Sequence, residues 1–466
     1  MKNMNKYTKA LLLSAVSLTG IALTSCEDEP DKYEIASGNP TVYYIRCLSS
    51  EVEDKSAVEE QIMTNGQLVE EAGPQSTLCL VGENLRSVTE MFFNDQKAVL
   101  NTSYITDNTL IVSVPKNVPK AVTDKIYMVN AAKDTTTVDF HVIIPGPTLY
   151  NMDFEYAKPG SEVTISGRYL IDDPAVPLQV FFRDANDNPT EAKVKSISED
   201  YTTVVVEVPA DAAEGNITVD NVYGSVTSGF KYMDAGDGKS SWMLFDFDGK
   251  TGLSNHGWHN QIIQSDEWSI SGSYLQLGNG EATMNDETWD DSHFSFEYWP
   301  GNWKDTEDYA DWGCVRITDI ADFSDWENMS MKFELCVPKA NPWSACALQI
   351  IPASTQVVTL GSAGTDIYGN PTGGCTNGYI SGNECPRALY RPWTTNGGTF
   401  DTGDKWITVT IPLASSFTFG YSGGAPTGKL TEDSWSSLVL FLASGGVAGT
   451  ECTPVLKIDN IRVGKY

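Results

Sequence analysis

From about residue 40 onward, apolar and polar residues alternate in short runs. In Val163-Thr-Ile-Ser-Gly167 every second side chain is apolar, and Leu78-Cys-Leu-Val-Gly82 is a short apolar run of the same length. A period of two puts one face of a strand against a core and leaves the other wet. The runs are rich in β-branched residues and are separated by Gly, Pro, Asn and Asp, which is strand-and-turn chemistry. Helical periodicity is nearly absent, and only Ser56–Glu71 is predicted as a short helix. The same strand pattern returns late in the chain, in Met243-Leu-Phe-Asp-Phe-Asp248, Met331-Lys-Phe-Glu-Leu-Cys-Val337, Trp406-Ile-Thr-Val-Thr-Ile-Pro412 and Val455–Val463. In the last of these the apolar phase slips at Asp459-Asn460, which predicts a β-bulge. The expected fold class is all-β.

The first half contains a degenerate repeat. Leu78–Leu85 lines up with Val163–Leu170, each with a Gly-x-x-Leu turn (Gly82–Leu85, Gly167–Leu170). Thr109–Pro115 matches Thr203–Pro209, and each unit closes on an apolar strand around Phe140 or Phe230. Two copies of one small fold are implied. All 12 tryptophans follow residue 241, so the composition changes at a linker near Asp234–Ser240. The expected organisation is an export signal over 1–25, a tether over 26–39, repeated modules over 40–145 and 146–233, and a tryptophan-rich domain over 240–466.

Lys2, Lys6 and Lys9 precede an apolar run from Ala10 to Leu23, the layout of an export signal and too short to span a bilayer. The run ends in Leu23-Thr-Ser-Cys26, which matches a bacterial lipobox and makes Cys26 the expected lipidated N-terminus. Acyl chains would hold the protein to the membrane at about 0.8 kcal/mol per buried methylene. The acidic Glu27-Asp28-Glu29 that follows resembles the signal that carries some lipoproteins to the outer face of the outer membrane. With 62 acidic against 31 basic residues the net charge is −31, which disfavours nucleic acids, anionic lipids and acidic polymers as partners. The lipid anchor is then the expected route to the membrane. Disulfides are permitted on the export route, with Cys375–Cys385 and Cys336–Cys346 the closely spaced candidates.

The repeated modules resemble IPT/TIG domains, an immunoglobulin-like sandwich family that often serves as a spacer. The tryptophan-rich region, with its opening Phe245-Asp-Phe-Asp-Gly249, its Phe333–Pro338 strand leading to Pro342-Trp343, and its closing Ile458–Val463, reads by analogy as a jelly-roll-like sandwich whose first and last strands pair. Together with Cys26 and the two modules, it resembles the surface glycan-binding lipoproteins of Sus-like polysaccharide uptake systems. The resemblance implies a non-catalytic receptor that captures a neutral polysaccharide or oligosaccharide. It would pass that glycan to a TonB-dependent transporter with its glycan-binding lid lipoprotein. A β-glucan suits a broad aromatic shelf.

Sugar rings expose C–H patches that flat aromatic rings cover at little rotamer cost. Trp242, Trp268, Trp406 and Trp435 sit in strand-like settings and read as core, and Trp326 as structural. Trp289, Trp299, Trp303, Trp312, Trp343 and Trp393 stand in loop contexts, where binding residues concentrate. The candidate glycan contacts are Trp299, Trp303, Tyr309, Trp312, Trp343, Tyr390, Arg391 and Trp393. The competing readings are a surface glycoside hydrolase with a jelly-roll domain, using two of the many acids near Trp299, and an adhesin. No cofactor is expected, although Asp246, Asp248 and Asp459 could gather around a structural Ca²⁺ if the first and last strands pair. His256 and His259 lack the helix and Glu of a zinc protease motif.

Overall fold

The alternation read from the chain does build strands, and among the described residues the helices are single turns. The computed structural model describes residues 33–49, 67–251, 253, 262–298, 315–353, 382–383 and 385–466. Two compact units divide at Pro145 and Gly146. The first holds β1 (Thr41–Ser49), β2 (Gln67–Leu68), β3 (Glu71–Ala72), β4 (Thr77–Glu83), β5 (Val88–Phe93), β6 (Gln96–Lys97), β7 (Thr109–Ser113), β8 (Lys125–Asn130), β9 (Thr135–Asp139) and β10 (His141–Val142). One sheet runs β2-β1-β4-β7 and another β6-β5-β8-β9, while β3 and β10 pair in parallel. Alternate residues of both sheets, such as Leu78, Leu80, Met91 and Met128, are buried, and Phe140 packs edge-on against Phe93 at 5.8 Å. The end of the predicted 56–71 helix is strand instead, because Gln67 and Leu68 find backbone partners in Cys47 and Arg46. The start of that stretch lies outside the described residues.

The second unit opens with the other repeat: β11 (Thr148–Met152), β12 (Glu162–Arg168), β13 (Gln179–Asp184), β14 (Pro189–Ile197), β15 (Thr203–Glu207), β16 (Ala212–Asn221) and β17 (Gly224–Tyr232). They follow one another as β11-β12-β15-β14-β13-β16-β17, and β11 also lies against β17. The repeated glycines have one steric cause. A Cβ on Gly82 would stand 1.8 Å from the Thr41 carbonyl oxygen, and one on Gly167 would stand 2.0 Å from that of Thr148. At each place the neighbouring strand bulges, at Tyr43 and at Tyr150, so only glycine admits the close approach.

The tryptophan-rich domain has β18 (Ser241–Phe245), β19 (Ile263–Gln264), β20 (Tyr274–Leu277), β21 (Ser295–Tyr298), β22 (Ser330–Cys336), β23 (Ala347–Ala353), β24 (Ala388–Tyr390), β25 (Ile407–Pro412), β26 (Ser437–Ala443) and β27 (Leu456–Gly464). One sheet runs β19-β20-β27-β22-β25 with β18 also on β27, and the other runs β21-β26-β23-β24. The first and last strands do pair antiparallel. The predicted bulge is present: the register between β22 and β27 shifts beside Asn460, which takes a left-handed φ of 49°. Phe333, Leu335, Ile458 and Val463 share one core with Phe296, Leu348, Ile350 and Leu440. Cys336 and Cys346 sit apart, Cys336 at the end of β22 and Cys346 just before β23 of the other sheet, and both are free thiols, which overturns the Cys336–Cys346 pairing. Cys375, and with it the Cys375–Cys385 pairing, lies outside the described residues, as do His256 and His259.

The outer face of the β22/β27 sheet is covered by the preceding module, and the cover is ionic. Glu155, Lys332, Glu334 and Arg462 are all buried. Arg462 bonds Glu155 at 2.6 Å and Glu334 at 2.7 Å, and Lys332 reaches Glu155 at 2.5 Å. Thr408 donates to Glu334 at 2.9 Å and accepts the backbone N–H of Glu155 at 2.8 Å. The Lys332 ammonium lies 3.9 Å from the centre of the Tyr466 ring, whose hydroxyl donates to Asp234. Burial disfavours the guanidinium charge, but Glu334 and Glu155 outweigh it and hold Arg462 protonated. Two cations balance two carboxylates, the condition under which charges survive in an interior. The second module is therefore joined to the sandwich as one packed unit.

Asp246 and Asp248 lie close enough to Asp459 to raise its pKa, yet among the described residues no group of acids converges to hold a metal ion. That corrects the Ca²⁺ expectation. Asp246 is spent on the N–H of Asp248 at 3.1 Å, and Asp248 accepts from Ser273 at 2.7 Å and pairs with Lys250 at 3.3 Å. Asp459 is left fully buried with one carboxyl oxygen lacking any hydrogen bond. Burial pushes its pKa up to about 8, with Glu334, Asp248 and Asp246 adding to the effect.

Both buried sites have measurable consequences. Glu155→Ala leaves Lys332 and Arg462 undercompensated and is expected to cost about 3–5 kcal/mol, read from denaturant unfolding followed by tryptophan fluorescence; a loss below about 1 kcal/mol contradicts the role given to the network. For Asp459 the folded pKa lies above the unfolded one, so the native state holds the extra proton and stability falls as pH rises from about 4 to 8. Asp459→Asn should therefore stabilise the chain at pH 8 by a few kcal/mol and make no difference near pH 4, as checked by melting curves across that range.

Candidate functional site

While one sheet is covered at the module junction, the strands β21, β23 and β26 of the other sheet are also buried along their whole length. Strand alternation puts Phe296, Leu440 and Leu348 on the face toward the other sheet and Glu297, Val439, Phe441, Gln349 and Ile351 on the outer face, and all of them are buried. This outer face is polar for a buried surface: Glu297 is 3% exposed, and Gln349 and Arg387 are fully buried. Arg387 donates to the Gln349 side-chain oxygen at 2.9 Å, and Gln349 donates to the Tyr421 and Ala443 carbonyls at 3.2 and 2.6 Å. Fixed donors and acceptors of this kind hold the floor rigid.

Two aromatic rings stand on that floor. Trp289 is 46% exposed, lies edge-on over Phe441 at 4.8 Å and meets Tyr421 at 6.0 Å with a 50° tilt. The Arg387 guanidinium lies 6.0 Å from the centre of the Tyr421 ring, and burial raises the pKa of the Tyr421 phenol. Trp289 is carried by the polar loop before the one-turn helix Asp291–Phe294, whose N-cap Asp290 bonds His293. Tyr421 is carried by the turn Gly420–Gly424, which is held against Gly445 and Gly446. A half-exposed indole supported by a phenyl ring and a phenol can stack a sugar ring, while the buried amide beneath holds the turn that carries the phenol.

The sequence-predicted contacts distribute differently. Trp343 is fully buried, because its backbone bridges to Phe400 and its Nε1 donates to the Ala345 carbonyl at 2.7 Å. Trp393 is 3% exposed and donates to the Cys346 carbonyl at 2.8 Å. Tyr390 faces the core against Trp343 and Phe333, at 6.0 and 6.4 Å, and burial pushes its phenol up to about 12. These three are core residues and not platforms. Arg391 is half-buried, bonded to the Gly445 carbonyl and lying 5.7 Å from the Phe419 ring, which sets it beside the Tyr421 turn. Trp299, Trp303, Tyr309, Trp312 and Cys26 lie outside the described residues. The stretch holding those four aromatics leaves from Tyr298, whose hydroxyl donates to the Val315 carbonyl where the described chain resumes. Of the strand-set tryptophans, Trp435 is buried, while Trp242, Trp268 and Trp406 are partly exposed. Tyr421, Gln349 and Arg387 were not singled out from the sequence, where only Gly-Tyr421-Ser-Gly-Gly carried a loop signal, and Glu297 stood only among the acids open to the hydrolase reading.

Comparison with known proteins gives the family of the chain. Residues 238–465 match the family model described as the surface glycan-binding protein B xyloglucan binding domain. An IPT/TIG domain-containing protein from Bacteroides ovatus is 23% identical over 244 residues, covering 50% of this chain and 46% of that one. The chain thus spans about half the length of that curated relative. The crystal structure of the surface glycan-binding protein PbSGBP-B from Prevotella bryantii superposes with a TM-score of 0.69 at 42% identity, covering 92% of this chain and 99% of that one. Identity of that extent over nearly the whole of both chains shows that this chain belongs to the surface glycan-binding proteins of Sus-like polysaccharide uptake systems.

Proposed function

We propose that the chain captures a neutral β-glucan of the xyloglucan kind at the cell surface and does not cleave it. The observation that carries this reading is the exposed Trp289 ring, backed by Phe441 and flanked by Tyr421 over the Gln349–Arg387 floor. It lies in the domain whose family is described by xyloglucan binding. A net charge of −31 favours an uncharged glycan over an acidic one. Lipidation at Cys26 would anchor the protein to the outer membrane. The modules over 40–145 and 146–233 would carry the glycan domain of 240–466, and a TonB-dependent transporter with its lid lipoprotein would receive the captured chain.

The test is calorimetry and affinity electrophoresis of the lipid-free chain against xyloglucan, mixed-linkage β-glucan and heparin, with product analysis alongside. Binding to a neutral β-glucan without new reducing ends is expected. Released reducing ends would establish the hydrolase reading, and no retardation by any glycan would favour the adhesin. Trp289→Ala should weaken binding by about 1–3 kcal/mol, on the scale of aromatic stacking to nucleobases, with the melting temperature nearly unchanged. Trp343→Ala should instead cost about 3–5 kcal/mol of stability, because that ring fills the core. Unchanged affinity in Trp289→Ala removes the shelf from the site.

A further inference from the structure

The two repeated modules share their strand order and their glycine-made bulges, but they differ at both edges. β14 pairs with β15 in the second, whereas β6 and β7 belong to separate sheets in the first. The opposite flank differs as well. In the second module β11 lies against β17 and closes the sandwich edge. In the first, the equivalent strands β1 and β9 face each other across a groove of about 1110 Å³. The difference has a source in the sequence. The connection from β1 to β4 runs over residues 50–76, whereas that from β11 to β12 covers only 153–161. The described end of the longer connection forms β2 on β1 and β3 on β10, so it ties the two sides of the groove together.

The groove presents a distinct set of side chains. The β1 register shifts between Val42 and Tyr44, and both Tyr43 and Tyr44 are exposed, at 59% and 40%, although consecutive residues of a regular strand would face opposite ways. Leu68 on β2 is 66% exposed beside them. Arg46 lies 5.3 Å from the centre of the Tyr44 ring, and Tyr43 is hydrogen-bonded to Glu83. Opposite stand His141, paired with Asp124 at 2.8 Å, and Asp139, paired with Lys125 at 2.5 Å. Glu71, exposed on β3, lines the groove too.

We infer that this groove is a second glycan-binding site, on the first module, which takes an uncharged sugar chain by stacking on Tyr43 and Tyr44 and by hydroxyl bonds to Glu71. The inference rests on the proposed capture of a neutral β-glucan and extends it to a module otherwise read as a spacer. Ionised carboxylates accept hydroxyl hydrogen bonds strongly, and they repel the polyanions that the net charge already disfavours.

Calorimetric stoichiometry of the full lipid-free chain with xyloglucan oligosaccharides tests it. Two sites are expected in the parent chain. Tyr43→Ala/Tyr44→Ala should abolish one or weaken it about tenfold or more, while Trp289→Ala affects the other. Glu71→Gln, which removes a charge from an exposed strand of the groove, should weaken the same site as the tyrosine pair. Parent and variants should melt alike, since the tyrosines support no core. One site in the parent, unaltered in Tyr43→Ala/Tyr44→Ala, overturns the second site and leaves the capture proposal standing. A parent chain that binds no glycan overturns both. Unaltered glycan binding with loss of a co-purifying membrane protein in the tyrosine variant overturns the glycan assignment in favour of a protein-docking groove.

Discussion

Arg462 and its two carboxylates decide which surfaces of the sandwich are free. A guanidinium without exposure, bonded to Glu155 of the preceding module and to Glu334 of its own sheet, can exist only if both partners stay in place. That requirement seals the second module onto the β22/β27 face. Farther along the same face, Lys457 lies 4.4 Å from the Trp268 ring centre and 4.9 Å from that of Tyr274, and donates to the Tyr274 hydroxyl. The outer side of this sheet is thus built for internal contacts, and over the buried outer side of β21-β26-β23-β24 the Trp289 ring stays half exposed.

The fate of each indole follows from its N–H as much as from its area. Trp343 and Trp393 sit where backbone carbonyls of Ala345 and Cys346 accept their Nε1 protons inside the domain, so burial costs them no hydrogen bond. Trp289 is held differently. Phe441 and Tyr421 support its edge and side, and nearly half of it meets solvent. Rigid support with an open face is what a stacking platform requires, because little freedom is then lost when a ring arrives.

The repeated modules show how far one constraint reaches. Gly82 and Gly167 keep the same close approach to the neighbouring strand in both copies, so the bulge and its exposed tyrosine persist at Tyr43 and Tyr150. The flank beyond that bulge carries no such constraint. A longer connection in the first copy could open a groove there without disturbing the core, since surface loops lengthen at little thermodynamic cost.

The all-β class, the duplicated module, the pairing of first and last strands and the bulge at Asn460 were legible in the chain, because alternation, β-branching and turn residues are local signals. The glycine pair was legible as a motif, though its steric reason was not. Burial is another matter. Asn341-Pro-Trp343 and Tyr390-Arg-Pro-Trp393 have the composition of loops, yet their rings turn inward because residues distant in sequence supply the cover and, for Trp393, the carbonyl acceptor as well. Glu155 and Arg462 are 307 residues apart and look like ordinary surface charges in an acidic chain. Which charges pair in the dark and which indole stays in the light depended on long-range packing, which brings together residues whose spacing along the chain carries no trace of their contact.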